Sequence, residues 1–291
     1  MNNNFFSKLK SKKLVILKCF LIVIAIFLII LIACGVALFL VNKYIFEASD
    51  SDNTESQKDD CNVYGINLHG DLYTYISPEY YNDKNYLIAD LSSSEEIQAY
   101  IQKAEEDPKI KAIILEIDSY GGYPVAGEEV ANALKLASKP TIAFIRSAGV
   151  SAAYWAATGA DIIFASKNSD VGSIGVTMSY VDNVENNLKE GYNFNKISTG
   201  KFKDAGDPNK VLTPEEKNIF ERDLQIILNN FISDIAENRK LSIDKVRQLA
   251  DGSSVLGESA LKNGLIDRIG DINTVKEYLK EELKTDIEIC W

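Results

Sequence analysis

The first pattern in the chain is an uninterrupted apolar run from Cys19 to Val41, preceded by a polar tail, residues 1–18, that carries Lys8, Lys10, Lys12, Lys13 and Lys18. At about 1.5 Å of rise per residue such a run crosses a hydrocarbon core about 30 Å thick, so it predicts a transmembrane helix. Lysines before the run and no comparable cluster behind it predict a cytoplasmic N-terminus and an extracytoplasmic remainder. The run is long for the apolar core of a cleaved signal, and no A-x-A-like site ends it. LIAC at Leu31 to Cys34 has the form of a bacterial lipoprotein cleavage box, but the residues behind Cys34 stay apolar, and an uncleaved anchor is the expectation. Residues 42–60 turn to Ser, Asp, Asn and Glu, too polar to pack, and predict a flexible stalk.

From Cys61 to the end the pattern alternates between short apolar strands and amphipathic helices, the grammar of an α/β domain. NVYGINL predicts a first strand, with His69 and Gly70 in a turn at its end. SSSEEIQAYIQKAEED predicts a helix opened by a capping box, Ser93 with Glu96. KAIILEID reads as a buried strand, Gly121 and Gly122 as a tight turn, and Pro124 as the first position of the next helix. TIAFI, DIIFAS and VGSIGV predict further strands. Thr213, Pro214 and Glu216 open a long helix. One of its faces carries Ile219, Phe220, Leu224, Ile227, Leu228, Phe231, Ile232 and Ile235, as core or as oligomer contact. The tail predicts short helices punctuated by glycine. Units of strand, glycine turn and helix stack into a spiral of sheet.

Charge and composition narrow the function. The formal net charge is −11, yet the first forty-one residues hold five lysines and no acid, so the domain is more acidic than the whole and no nucleic-acid partner is expected. The four cysteines, Cys19, Cys34, Cys61 and Cys290, lack metal-ligand spacing. Cys61 and Cys290 bracket the domain, but nothing in the sequence fixes their separation, and two separate thiols are the expectation. His69 is the single histidine. That count excludes a zinc site built from several histidines, leaves a hydrolase to find another base, and no cofactor is expected.

In Ile145 to Tyr154, IRSAGVSAAY, a strand hands over to a helix with Ser151 at the junction, where helix N–H groups converge on an oxygen that gains charge. Its proton acceptor can be a lysine if desolvation lowers the pKa. Lys201 and Lys203 lie in ISTGKFKDAGDP ahead of the long helix. Periodicity and composition leave open whether they are a base or a solvated pair.

DSYGGYPVAGEE, SAGVSAAYWAATGADIIFAS, VGSIGV, ISTGKFKDAGDP and LADGSSVLGESALKNGLID, in that order from Asp118 to Asp267, resemble the successive signatures of the signal peptide peptidase A family, membrane-bound serine proteases of peptidase family S49. The resemblance implies a fold of the Clp protease and crotonase type, an α/β spiral of repeated strand-strand-helix units. Carried over by position, Ser151 is the nucleophile, Lys203 the general base and Ser173 the serine that orients that lysine. The N–H groups of Gly122 and Ala152 form the oxyanion hole. Ala152 and Ala153 stand where the family usually has two glycines, and Tyr120 where proline is common. Tyr154 and Trp155 either line the substrate pocket or pack. Ser147 and Lys201 are the rivals for nucleophile and base.

The resemblance also implies peptide substrates, namely cleaved signal peptides, and ring or dome homo-oligomers in which Lys203 serves the Ser151 of a neighbouring protomer. The alternatives are an inactive peptide-binding or immunity protein on the same fold, and a crotonase-type acyl-CoA enzyme.

Overall fold

The computed structural model describes residues 61–82 and 89–291. The predicted cytoplasmic tail, transmembrane helix and stalk, residues 1–60, lie outside the described residues. Among the described residues no helix is long and apolar enough to cross a membrane. Along the chain the strands are β1 (Val63–Tyr73), β2 (Leu91–Ser93), β3 (Ala112–Gly122), β4 (Thr141–Val150), β5 (Ile162–Ala165), β6 (Asp170–Gly172), β7 (Ser254–Leu256), β8 (Arg268–Ile269) and β9 (Ile289–Cys290). The helices are α1 (Ser94–Glu106), α2 (Pro124–Leu136), α3 (Ala152–Ala157), α4 (Val184–Lys189), α5 (Pro214–Asn238), α6 (Ile243–Leu249), α7 (Gly257–Asn263) and α8 (Ile272–Leu283).

The main sheet runs in the order β2-β1-β3-β4-β5-β8, every neighbouring pair parallel. Helices α1, α2 and α3 each connect one strand of this sheet to the next, as parallel pairing requires. The α/β class with a parallel sheet is thus as the sequence predicts. Strand β6 pairs with the end of β4 and, antiparallel, with β7, a short branch of the same sheet. The tail is richer than expected, since β7 and β8 lie between its helices and β9 follows the last of them.

Strand β3 explains why both sheet faces are covered at one end only. Ile113, Leu115 and Ile117 point into the main core beneath the helices, while Ala112 and Ile114 enter a second core against Val275 and Leu279 of α8. Farther along the second face come Glu116 and Asp118, which cannot be buried unpaired. Glu116 accepts from Arg146 at 3.0 Å and lies 3.2 Å from His69 Nε2. His69 therefore sits within β1, at a bulge between His69 and Asp71, and not in the terminal turn that Gly70 had suggested.

Two further expectations change. Gly121 and Gly122 do not turn the chain; they continue β3 alongside Asp71 and Leu72, at φ 112° and 155°, and the turn falls at Tyr123. The strand expected at VGSIGV ends at Gly172, because Ser173 adopts φ 48°. The helix starts hold. Ser93 caps α1 by accepting from Glu96 N–H, Thr213 and Glu216 form a complete capping box on α5, and Pro124 and Pro214 occupy first-turn positions.

Cys61 and Cys290 are disulfide-bonded, with Cα atoms 5.7 Å apart, which overturns the expectation of two separate thiols. The cause is β9, which pairs with β1 at Val63↔Ile289 and Tyr64↔Cys290. Trp291 then covers Gly65, where a Cβ would stand 2.3 Å from the indole ring. Because the bond closes nearly the whole domain into one loop, replacing both cysteines by serine should cost about 2–5 kcal/mol. Urea unfolding of both proteins, with and without reductant, checks this; reductant should leave the serine variant unmoved.

Candidate active site

Ser151 lies between β4 and α3 with φ 54° and ψ −129°, a backbone that an L-residue adopts at a cost of about 1–3 kcal/mol. Two backbone bonds hold it there. Its N–H donates to the Gly172 carbonyl of β6 at 2.7 Å, and its carbonyl accepts from Trp155 N–H at 3.0 Å. A sharp strand-to-helix corner of this kind lifts the hydroxyl clear of both elements, as a nucleophile needs. The sequence placed the junction at Ser151, and the structure agrees. Ser147 faces away, in a groove on the opposite side of the sheet that it shares with His69, Glu116, Phe144 and Trp291.

The corner is crowded from beneath by glycine. A Cβ on Gly121 would come within 2.8 Å of Ser151 Cβ, and one on Gly127 within 2.5 Å of the Ala152 carbonyl oxygen. These absent side chains let α2 and the end of β3 approach the serine backbone to backbone. Ala152 and Ala153 are both buried, and Ala153 packs in the main core.

Ser151 opens on a cavity of about 400 Å³ whose lining includes Gly122, Pro124, Ala152, Trp155, Ser173, Leu228, Phe231, Asp251 and Gly252. Four of the five residues expected to act, Gly122, Ser151, Ala152 and Ser173, thus share one cavity. Trp155 stacks on Phe231 at 4.5 Å between ring centroids, and its indole N–H donates to Asp234 at 3.0 Å, so it both packs and lines. Tyr154 only packs; its hydroxyl donates to the Leu265 carbonyl at 2.8 Å and burial raises its pKa. Ser173 donates its hydroxyl to the Gly252 carbonyl at 2.8 Å, which leaves the oxygen's lone pairs for an incoming donor.

Lys203 is the residue that the structure does not bring to the others. It is exposed, does not line the cavity, and its ammonium has no partner among the described residues. Lys201 is engaged in an exposed ion pair with Glu215 at 2.8 Å. Beside Lys203, Asp204 pairs with Lys196, and Lys210 pairs with Glu216 at the start of α5. Glu216 is 3% exposed and also accepts from Thr213 N–H at 3.0 Å and Thr213 Oγ1 at 3.1 Å. The loop is therefore fastened to the first turn of α5, about 18 Å of helix rise from Leu228 in the cavity wall.

The family model described as Peptidase family S49 matches residues 133–286, about half of the chain. The chain belongs to peptidase family S49. A Methanocaldococcus jannaschii protein named as a protease is 35% identical over 61% of this chain and 57% of its own length. Protease 4 of Salmonella typhi is 33% identical over 60% of this chain and 28% of its own, and a chloroplastic serine protease SPPA of Arabidopsis thaliana is 31% identical over 65% and 28%. The S49 chain described here thus spans little more than half of the first of these relatives and about a quarter of the other two.

Several features of this S49 site were not legible as such. Glu216 read only as a helix cap; its burial and its bond to Lys210 depend on the fold of the loop. Asp251 sat in a motif with no assigned role, although Asp-Gly-Ser is a recognisable turn signal. The cavity wall came from one face of α5. Phe231, Ile232 and Ile235 are buried as core, Leu228 and Phe231 line the cavity, and Ile219, Phe220 and Leu224 stay half-buried.

The Lys210 hydrogen bond, then the Thr213 N–H, hold the Glu216 carboxyl down at about 2 against an ordinary value of 4.5. A depressed carboxyl stabilises the fold above its unfolded pKa and loses that contribution as pH falls through the folded one. Protection of the 203–213 amides should accordingly be level above about pH 4.5 and decline toward pH 2. In Glu216→Gln this step should vanish and protection should be lower at neutral pH; hydrogen-exchange protection factors, corrected for intrinsic rates, check both.

Proposed function

We propose that the chain is a membrane-anchored serine endopeptidase with a Ser151/Lys203 dyad, cutting cleaved signal peptides and similar apolar peptides outside the cytoplasm. The observation that carries this reading is the strained corner at Ser151 opening on a lined cavity, in a member of family S49. In the forward step neutral Lys203 takes the Ser151 proton as Oγ attacks the peptide carbonyl. The N–H groups of Gly122 and Ala152 meet the resulting oxyanion. The lysine then returns its proton to the leaving amine, and water releases the acyl group by the same route. Ser173 accepts from the lysine and orients it. Strand alternation supports the Gly122 assignment, since Tyr123 N–H goes to Leu72 at 2.8 Å and the preceding N–H faces the other edge.

The fastening of the lysine loop at the far end of α5 supports a homo-oligomer in which one protomer's Lys203 enters a neighbour's cavity. The apolar side chains around the loop, including Met178, Val181, Ile197 and Phe202, are exposed in the single chain and fit such a contact. The disulfide supports an extracytoplasmic domain, since such bonds persist in oxidising compartments.

Ser151→Ala and Lys203→Ala should each lower kcat by about a thousandfold or more, while Lys201→Ala should retain activity. Co-expression of the two inactive chains should restore cleavage in about a quarter of the sites if the dyad is shared between protomers, and in none if it is not. Activity should rise with pH on the alkaline side of neutral as the lysine loses its proton. A profile flat from acid upward, or full activity in Lys203→Ala, would assign the base elsewhere.

A further inference from the structure

The proposed acyl transfer gives the carboxylate of Asp251, in the cavity wall, no task. Among the described residues that line the cavity Asp251 alone is charged, and Pro124, Trp155, Leu228 and Phe231 supply apolar surface. It sits in the loop between α6 and β7, and that loop is stitched to the segment that holds the nucleophile. Gly252 N–H donates to the Ile174 carbonyl at 3.2 Å, and Ser173 N–H donates to the Ser253 carbonyl at 3.1 Å. From Ser151 to Asp251 the path is the bond to Gly172, one peptide link, the Ser173 to Gly252 bond and one more link. A peptide that reaches Ser151 therefore passes Asp251 within a few residues.

The carboxylate is presented and not consumed. Oδ1 accepts both the N–H of Ser253 at 2.9 Å and its hydroxyl at 2.6 Å, while Oδ2 accepts from no other described residue. The same two bonds, the hydroxyl's first, hold the carboxyl below its ordinary range, so it is ionised at neutral pH. A peptide lying over this rim strips water from Oδ2. An uncharged segment then leaves a desolvated charge unpaired, an acidic one adds repulsion, and only a cation repays the loss.

We propose that Asp251 is a specificity-determining residue that receives an ammonium or guanidinium group of the substrate, while the Trp155 and Phe231 wall receives an apolar side chain. The inference rests on the reading of Ser151 as a peptidase nucleophile. It sharpens the substrate class to peptides in which a basic residue adjoins an apolar stretch, the order of a secretory signal peptide.

The test uses the full chain and a ladder of internally quenched apolar peptides with one lysine moved through the positions flanking the cut, each paired with a norleucine peptide. At one or two adjacent positions lysine should raise kcat/KM about threefold to tenfold over norleucine. Asp251→Asn keeps an amide oxygen for the Ser253 N–H, and should bring that ratio to about one; Asp251→Lys should transfer the preference to glutamate. In the unmodified protein the ratio should fall as NaCl rises from about 0.05 to about 0.5 M, a reading that needs no variant to fold. Acetylating the peptide N-terminus distinguishes an α-ammonium from a side-chain cation. Equal ratios in the unmodified protein and Asp251→Asn at every position overturn the proposal. So does a variant that keeps the ratio and moves the alkaline limb of the pH profile, which would make Asp251 a partner of the base. Cleavage that survives Ser151→Ala instead sinks the peptidase reading itself, and the proposal with it.

Discussion

The site depends on one hydrogen bond, from Ser151 N–H to the Gly172 carbonyl at 2.7 Å. A serine at φ 54° returns to an ordinary conformation unless its neighbours over-determine it. Strand β6 supplies that constraint from one side, and the first turn of α3 supplies it from the other through Trp155. Everything close to the corner is arranged so that this bond can form. Gly121 and Gly127 remove the side chains that would push the corner away, and the parallel sheet fixes β4 and β6 at ladder distance. The same bond sets the position of Ser173, the next residue after its acceptor, and through Ser173 the loop that carries Asp251. Ser151, Ser173 and the cavity rim are thus joined through consecutive hydrogen bonds.

Much of this was readable from the sequence because it is local. The junction at Ser151, the proline-started helices and the Thr213 cap all follow from periodicity and backbone chemistry within a few residues. The twin glycines were recognised as special but given the usual role of a turn. In fact they extend β3, because their small size serves a contact with Leu72 and Ser151 that is distant in sequence. His69 shows the same limit. Beside Gly70 it looked like a terminal turn residue, whereas β1 continues through a bulge, and the ring faces Glu116 on the next strand.

The disulfide and the charged loop escaped for a stronger reason. Cys61 and Cys290 stand at opposite ends of the domain, and only the two-residue strand β9, too short to signal itself by alternation, brings them together. Glu216 satisfied a local rule so well that its second role was hidden. A capping glutamate is normally solvated, and this one is buried because Lys210 folds back over it. Here an ion pair that depends on how the loop folds is built on a helix cap, and sequence reasoning stops at the cap.

Helix α5 resolves how these parts work as one device. Its first turn fastens the lysine loop through Glu216 and Lys210, and its later turns form core and cavity wall through Leu228, Phe231 and Ile235. A helix is stiff along its axis, so the distance between the loop's anchor and the cavity is fixed by residue count and not by loop flexibility. On the proposed reading, that reach suits a lysine folded back onto its own serine less than a lysine offered to another molecule. The exposed apolar side chains of the loop fit the second use, because they add contact area where the single chain leaves them in water. In the single chain the cavity gathers Gly122, Ser151, Ala152 and Ser173, while Lys203 stays in water outside its lining.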